Sequence, residues 1–197
     1  MRRIVIASNN AGKLREIEAI LAPLGIEIVP QSALGVPEAE EPHPTFVENA
    51  LVKARNAARH TGLPALADDS GICVNALDGA PGVQSARYAG EPKSDERNNR
   101  KLVDALRGNP DRAAYYCAVL VLVDHENDPR PLIAEGVWHG EVIDAPRGAG
   151  GFGYDPYFYL PRFGMTAAEM PPERKNLVSH RALALRRHAA LLGEEPR

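Results

Sequence analysis

The 197-residue chain predicts an α/β fold: a mixed central β-sheet with flanking helices. Three observations point to it. Short β-branched runs alternate with amphipathic helical patterns in the first half, two long apolar runs adjoin each other later, and Asn-, Gly- and Pro-rich punctuation separates them. Early alternation calls for parallel pairing, and the adjoining runs for antiparallel pairing, so the sheet is expected to be mixed. The length suits a single domain, 1–197, with room for two lobes sharing one sheet.

In chain order, "RRIVIA" reads as a buried strand that breaks at "SNNAGK". Leu14, Ile17, Ile20, Leu21 and Leu24 then recur at helical spacing until Pro23 and Gly25 end the pattern. "IEIVP" is a short strand, and the acidic, proline-broken "EAEEPHP" is a loop. Thr45 and Glu48 have capping-box spacing at the head of a second helix carrying Ala50, Ala54, Ala57 and Ala58. "LPALADD" and "ICVNAL" read as two strands parted by Ser70 and Gly71, and "DGAPGVQSARYAGEP" as a loop. Ser94 caps a helix running to about Leu106. "AAYYCAVLVLVD" and "PLIAEGVWHGEVI" are two long strands, and "YFYL" is a short one after the glycine-rich "PRGAGGFGYDP". Thr166 and Glu169 mark a capped turn, and Ser179 begins a last helix with Ala182, Leu185, Ala189 and Leu192 on one face.

Lys and Arg number 23 against 26 Asp and Glu, a formal charge of −3, which gives no footprint for nucleic acid. No run is long enough for a signal peptide or a membrane span, so the protein is expected to be cytoplasmic with no membrane partner. Cys73 and Cys117 lie in strand-like runs without zinc-ligand spacing and are expected to be buried thiols.

Four stretches carry the candidate chemistry. Ser8 to Lys13 turns from strand to helix beside a lysine, an arrangement suited to phosphate, although it lacks the leading Gly and trailing Ser or Thr of a Walker loop. The same stretch also reads as an ordinary Asn-rich helix start. Asp68 and Asp69, with Glu40 and Glu41 upstream, offer hard oxygen ligands for Mg²⁺ and a proton acceptor, while Asp-Asp-Ser-Gly taken alone is also good turn chemistry. In "GGFGYDP", glycines permit close approach and Phe152 and Tyr154 can stack on a flat ring. In "ERKNLVSHR", Lys175, His180 and Arg181 offer donors to a carbonyl or phosphate, and Lys53 either reaches a phosphate from its helix or snorkels.

Taken in order, "SNNAGKLREI", "TFVENALVKA", "ALADDSGICVNALDGAPGVQSARYAG", "GGFGYDPYF" and "KNLVSHRALAL" resemble the inosine triphosphate pyrophosphatase family, the Ham1-like noncanonical purine NTP pyrophosphatases, from residue 4 to about 192. The resemblance implies a homodimer whose two lobes flank a nucleotide-binding cleft and which uses Mg²⁺ to hydrolyse ITP, dITP and XTP to the monophosphate and pyrophosphate. It implies that Ser8, Asn9, Asn10, Ala11, Gly12, Lys13 and Lys53 hold the triphosphate and that Ser70 contacts substrate. Asp69 matches the catalytic proton acceptor and metal ligand, with Asp68, Glu40 and Glu41 beside it. Phe152, Gly153, Tyr154 and Asp155 would wrap the nucleoside, and Lys175, His180 and Arg181 would read the base edge. Ser8 where Thr is usual, and Met165 where Lys is usual, depart from the pattern without touching this chemistry. The rivals are a Maf-like pyrophosphatase and a nucleotide-sensing domain without turnover.

Overall fold

A computed structural model describes residues 3–194, apart from the side chains of residues 24 and 192–194; Arg2 of the first expected strand and the side chain of Leu192 therefore lie outside it. Seven strands form one sheet in the order β2-β1-β3-β4-β5-β6-β7. They are β1 (Arg3–Ile6), β2 (Glu27–Pro30), β3 (Ala65–Val74), β4 (Ala113–Val123), β5 (Leu132–Val142), β6 (Phe158–Leu160) and β7 (Met165–Thr166). β1 pairs in parallel with β2 and β3, whereas β6 runs antiparallel to both β5 and β7, so the sheet is mixed. The helices are α1 (Ala11–Leu21), α2 (Phe46–Thr61), α3 (Asp95–Ala105), α4 (Pro172–Val178) and α5 (His180–Glu194).

Local chemistry sets most boundaries. Asn10 caps α1 by accepting from the Lys13 N–H, Thr45 caps α2 by accepting from Glu48, and Ser94 caps α3 by accepting from Arg97. Gly62 ends α2 in the left-handed conformation that a side chain would strain. Thr166 and Glu169 bond reciprocally, side chain to backbone, as their spacing predicts.

The structure departs from the expectation at several points: β7 is an additional short strand, the expected strand through Leu77 ends at Val74, and β3 and α4 differ as well. β3 runs unbroken through Ser70 and Gly71, where the sequence suggests a turn. Gly71 answers to crowding instead: a Cβ there would lie 2.3 Å from the Gly82 carbonyl oxygen and 2.4 Å from Ser85 Oγ, the oxygen that accepts the Ile72 N–H. A further difference is α4. Its seven residues begin at Pro172, a residue that fits a first helical turn, but they are too few to show a helical period.

The chain divides into two compact units. The first comprises residues 1–69, 118–136 and 180–197, and its core contains Ile4, Ile6, Ile17, Leu66, Leu120 and Leu185. The second comprises 70–117 and 137–179 and is centred on Phe158, whose ring meets Tyr116 edge-on at 4.6 Å between centroids, with Trp138 at 5.7 Å. Cys73 and Cys117 are buried thiols.

Candidate active site

Adjacent residues on a strand point to opposite faces, so β3 sends Asp68 and Asp69 into different surroundings. Asp68 is fully buried. Its Oδ1 lies 2.6 Å from Lys13 Nζ and its Oδ2 accepts from Arg181 Nε at 2.8 Å. Arg181, itself 1% exposed, also pairs with Glu16 of α1. Asp69 meets the other lysine: Lys53 Nζ lies 2.8 Å from Asp69 Oδ1, 2.8 Å from Glu41 Oε1 and 3.0 Å from the Asp68 carbonyl oxygen.

This arrangement divides the two carboxylates chemically. Burial opposes charge on Asp68, but Arg181 and Lys13 outweigh it and hold the carboxyl well below its ordinary range. At Asp69 burial dominates and pushes the carboxyl up, against the pull of Lys53 and Lys13. Burial lowers Lys13, whereas Asp69 and Glu41 overcome the same effect and raise Lys53. Asp68 is thus an anchored anion, and Asp69 is the carboxylate closer to accepting a proton.

Asp69 Oδ2 is buried and has no hydrogen-bond partner among the described residues. A hard cation is one group that satisfies such an oxygen. Among those residues no three His, Cys, Asp or Glu side chains form a metal cage by themselves. Magnesium does not require one, because it usually takes one or two carboxylates and completes its shell with water and phosphate oxygens. Glu41 and Asp69, bridged by one ammonium, fit that donor set. Glu40 lies elsewhere: it is exposed and lines a cavity of about 670 Å³ with Glu38, Arg55 and Asn56.

In the loop from Ser8 to Lys13 the side chains secure the loop itself. Ser8 Oγ accepts from the Asn10 N–H at 3.2 Å, Asn10 caps α1, and Asn9 bonds Glu38 and Gln31. Ala11 is exposed at the helix start and Gly12 is buried. Lys53 comes from the middle of α2, where the alanine face is buried and the lysine stem lies along the protein with only 12% of the side chain exposed. Ser70, next on β3, is partly exposed.

The second unit holds the other expected residues. Asp155 is 2% exposed; its Oδ2 accepts from the Phe152 N–H at 3.0 Å and from Lys175 Nζ at 2.6 Å. The Lys175 ammonium stands 5.1 Å from the centre of the Phe152 ring, a cation–π contact. Tyr154 is buried, and its hydroxyl donates to the Ser85 carbonyl oxygen at 2.8 Å. Lys175, His180 and Arg181, close in sequence, are divided: Lys175 lies in the second unit, while His180 and Arg181 begin α5 in the first. Glu16 is absent from the sequence-based site because its partner Arg181 is 165 residues away; its only local signal is its place three residues after Lys13 on α1.

A mixed α/β chain that joins two lysines, an arginine and paired carboxylates around a strand has the charged groups of a phosphate-handling protein. The Ham1 family model matches residues 4–191, and the chain belongs to that family. It is 67% identical to the dITP/XTP pyrophosphatase of Nitrosomonas europaea over 194 residues, covering 98% of this chain and 96% of that one. It is 68% identical to the dITP/XTP pyrophosphatase of Bordetella pertussis over 188 residues, 94% of this chain and 88% of that one. Among solved structures, a HAM1 protein from Coxiella burnetii superposes with a TM-score of 0.92 at 50% identity, covering 99% of this chain and 100% of that one. The Staphylococcus aureus Ham1 protein gives 0.87 at 40% identity, covering 98% and 100%.

Proposed function

We propose that this protein hydrolyses dITP, XTP and ITP to the nucleoside monophosphate and pyrophosphate, removing noncanonical purines from the nucleotide pool. The observation that carries the proposal is the Lys53 ammonium held between Glu41 and Asp69, with Asp69 Oδ2 buried beside it and lacking a hydrogen-bond partner among the described residues. Relatives two-thirds identical over nearly the whole chain are named for dITP and XTP.

Water attacks the α-phosphorus, the bond from that phosphorus to the oxygen bridging toward the β-phosphorus breaks, and pyrophosphate leaves intact. Asp69 accepts the proton from the attacking water. Lys13, Lys53 and the loop from Ser8 to Gly12 hold the phosphate oxygens, and Ser70 adds a contact. Asp69 and Glu41 would hold Mg²⁺, which when bound neutralises charge on the phosphates. Asp68, with both oxygens on cations, and Glu40, facing another cavity, serve less well as ligands.

We assign the purine to Phe152, Gly153, Tyr154, Asp155 and Lys175, with His180 and Arg181 at its edge. A base contact by Arg181 requires its pairing with Asp68 and Glu16 to open. Hypoxanthine and xanthine carry a C6 carbonyl where adenine carries an amino donor. An ammonium such as that of Lys175 pairs with the first and leaves the second unmatched, a penalty of about 1–3 kcal/mol. We also carry over a homodimer and a cytoplasmic location, the former open to light scattering. Among the described residues no helix is long and apolar enough to cross a membrane.

The test is incubation with dITP, XTP, ITP, GTP and ATP, with Mg²⁺ and in EDTA, measuring pyrophosphate against orthophosphate. Pyrophosphate released faster from the first three than from ATP, dependent on Mg²⁺, is expected. Orthophosphate as the product, or equal rates on ATP, would overturn the proposal. Binding without turnover would favour a sensing domain.

A further inference from the structure

The glycine-rich loop is gripped from an unexpected quarter. Phe152 lies between Gly151 and Gly153, both with positive φ, at 72° and 64°. Two such residues leave the direction of the intervening ring to whatever fixes the backbone. Gly153 is fixed on both sides by α3: its N–H donates to Asp95 Oδ2 at 2.8 Å and its carbonyl oxygen accepts from Asn99 Nδ2 at 2.8 Å. Asp95 and Asn99 stand four residues apart, on one face of the helix.

Asn99 shows that this grip is more than incidental packing. Its amide nitrogen also donates to the Asp95 carbonyl oxygen at 2.8 Å, so both hydrogens have acceptors and the orientation of the amide is set. The other end, Oδ1, is buried without a hydrogen-bond partner among the described residues. An unpaired buried acceptor is destabilising, and an apolar side chain would avoid it. The amide is accounted for by what its donors hold.

We propose that Asp95 and Asn99 are positioning residues for purine selection, fixing Gly153 so that the Phe152 ring stands against the Lys175 ammonium. This rests on the function proposed above. Asp155 ties the Phe152 N–H and the Lys175 ammonium to one carboxylate oxygen. Freed from α3, the loop would keep that tie but lose the hold on Gly153, loosening the ring against the ammonium. The phosphate-binding residues lie on other elements, so the chemical step should be spared.

The test compares Asp95→Ala, Asp95→Asn and Asn99→Ala with the parent in steady-state pyrophosphate release from dITP, XTP and dATP. Asp95 is exposed, so its variants should fold, and circular dichroism checks all three. For Asp95→Ala and Asn99→Ala, KM for dITP and XTP should rise about five- to tenfold, with kcat within about twofold and a matching fall in preference for dITP over dATP. Asp95→Asn retains an oxygen able to accept the Gly153 N–H and should restore the parent KM. An active parent whose alanine variants keep its KM and preference overturns the clamp alone. So does Asp95→Asn behaving like Asp95→Ala, or a loss confined to kcat. A parent inactive on dITP and XTP overturns the function and the clamp with it.

Discussion

Replacing each β3 aspartate by asparagine tests the division of labour between them, because the two changes are chemically identical and one residue apart. Asp68→Asn removes the anion that Lys13 and Arg181 both face, leaving two buried cations short of a counter-charge. Removing one partner of a buried ion pair costs about 3–5 kcal/mol. A domain of this size loses roughly 2–4 °C of Tm per kcal/mol, so a fall of about 6–20 °C is expected. Asp69→Asn removes a carboxylate whose charge burial already disfavours. Its Tm should fall less than that of Asp68→Asn, because Lys53 keeps Glu41 and burial already opposes the charge removed, while turnover on dITP falls by ~10²-fold or more.

Thermal unfolding followed by circular dichroism at pH 7.5 in EDTA, paired with pyrophosphate release in Mg²⁺, separates the two effects. The pH dependence gives a second reading. The native carboxyl of Asp68 is depressed below its ordinary value of 3.8, so its stabilisation is complete above that value and is lost as the pH falls through the native one. The Tm deficit of Asp68→Asn should therefore shrink in strong acid. Equal Tm values for the two variants at pH 7.5, or a larger loss for Asp69→Asn, would refute the assignment of anchor and base.

Two further outcomes follow from packing. A Cβ on Gly136 would lie 2.0 Å from the His180 carbonyl oxygen and 2.6 Å from the Ala184 nitrogen, so Gly136→Ala should displace the start of α5 and cost about 1–3 kcal/mol or more in urea unfolding; a parent midpoint would contradict this. Burial pushes the Cys73 thiol up despite a hydrogen bond with Tyr115, so iodoacetamide at pH 7.5 should alkylate it only on unfolding, and prompt reaction of the native protein would count against that.

Most elements of this fold are written locally. The Thr45–Glu48 and Ser94 caps, the helical apolar spacing and the β-branched runs act within a few residues, and the structure follows them. β3 was illegible as one strand because glycine serves two purposes. "SG" has turn chemistry, yet at Gly71 the demand comes from residues eleven and fourteen positions away, Gly82 and Ser85. The residue types of the site were legible as acids and lysines, although Asp68 and Asp69 lie within β3 and Lys53 in the middle of α2. Their partners were not, because Asp68 and Arg181 are 113 residues apart and nothing local selects Arg181 over other arginines.

Placing like charges on neighbouring strand residues is economical only because the pleat turns them apart. One carboxylate can then be neutralised by Lys13 and Arg181 while the next stays under-compensated on Oδ2. Interposing a residue would return both to the same face, where their mutual repulsion would raise one or both carboxyls and compete for the lysines. The adjacency separates stability from chemistry within two residues: Asp68 ties β3 to α1 and α5, and that rigid strand presents Asp69 to Lys53 and Glu41. A base whose charge burial opposes gains from such a frame, because Lys53 compensates only one of its two oxygens.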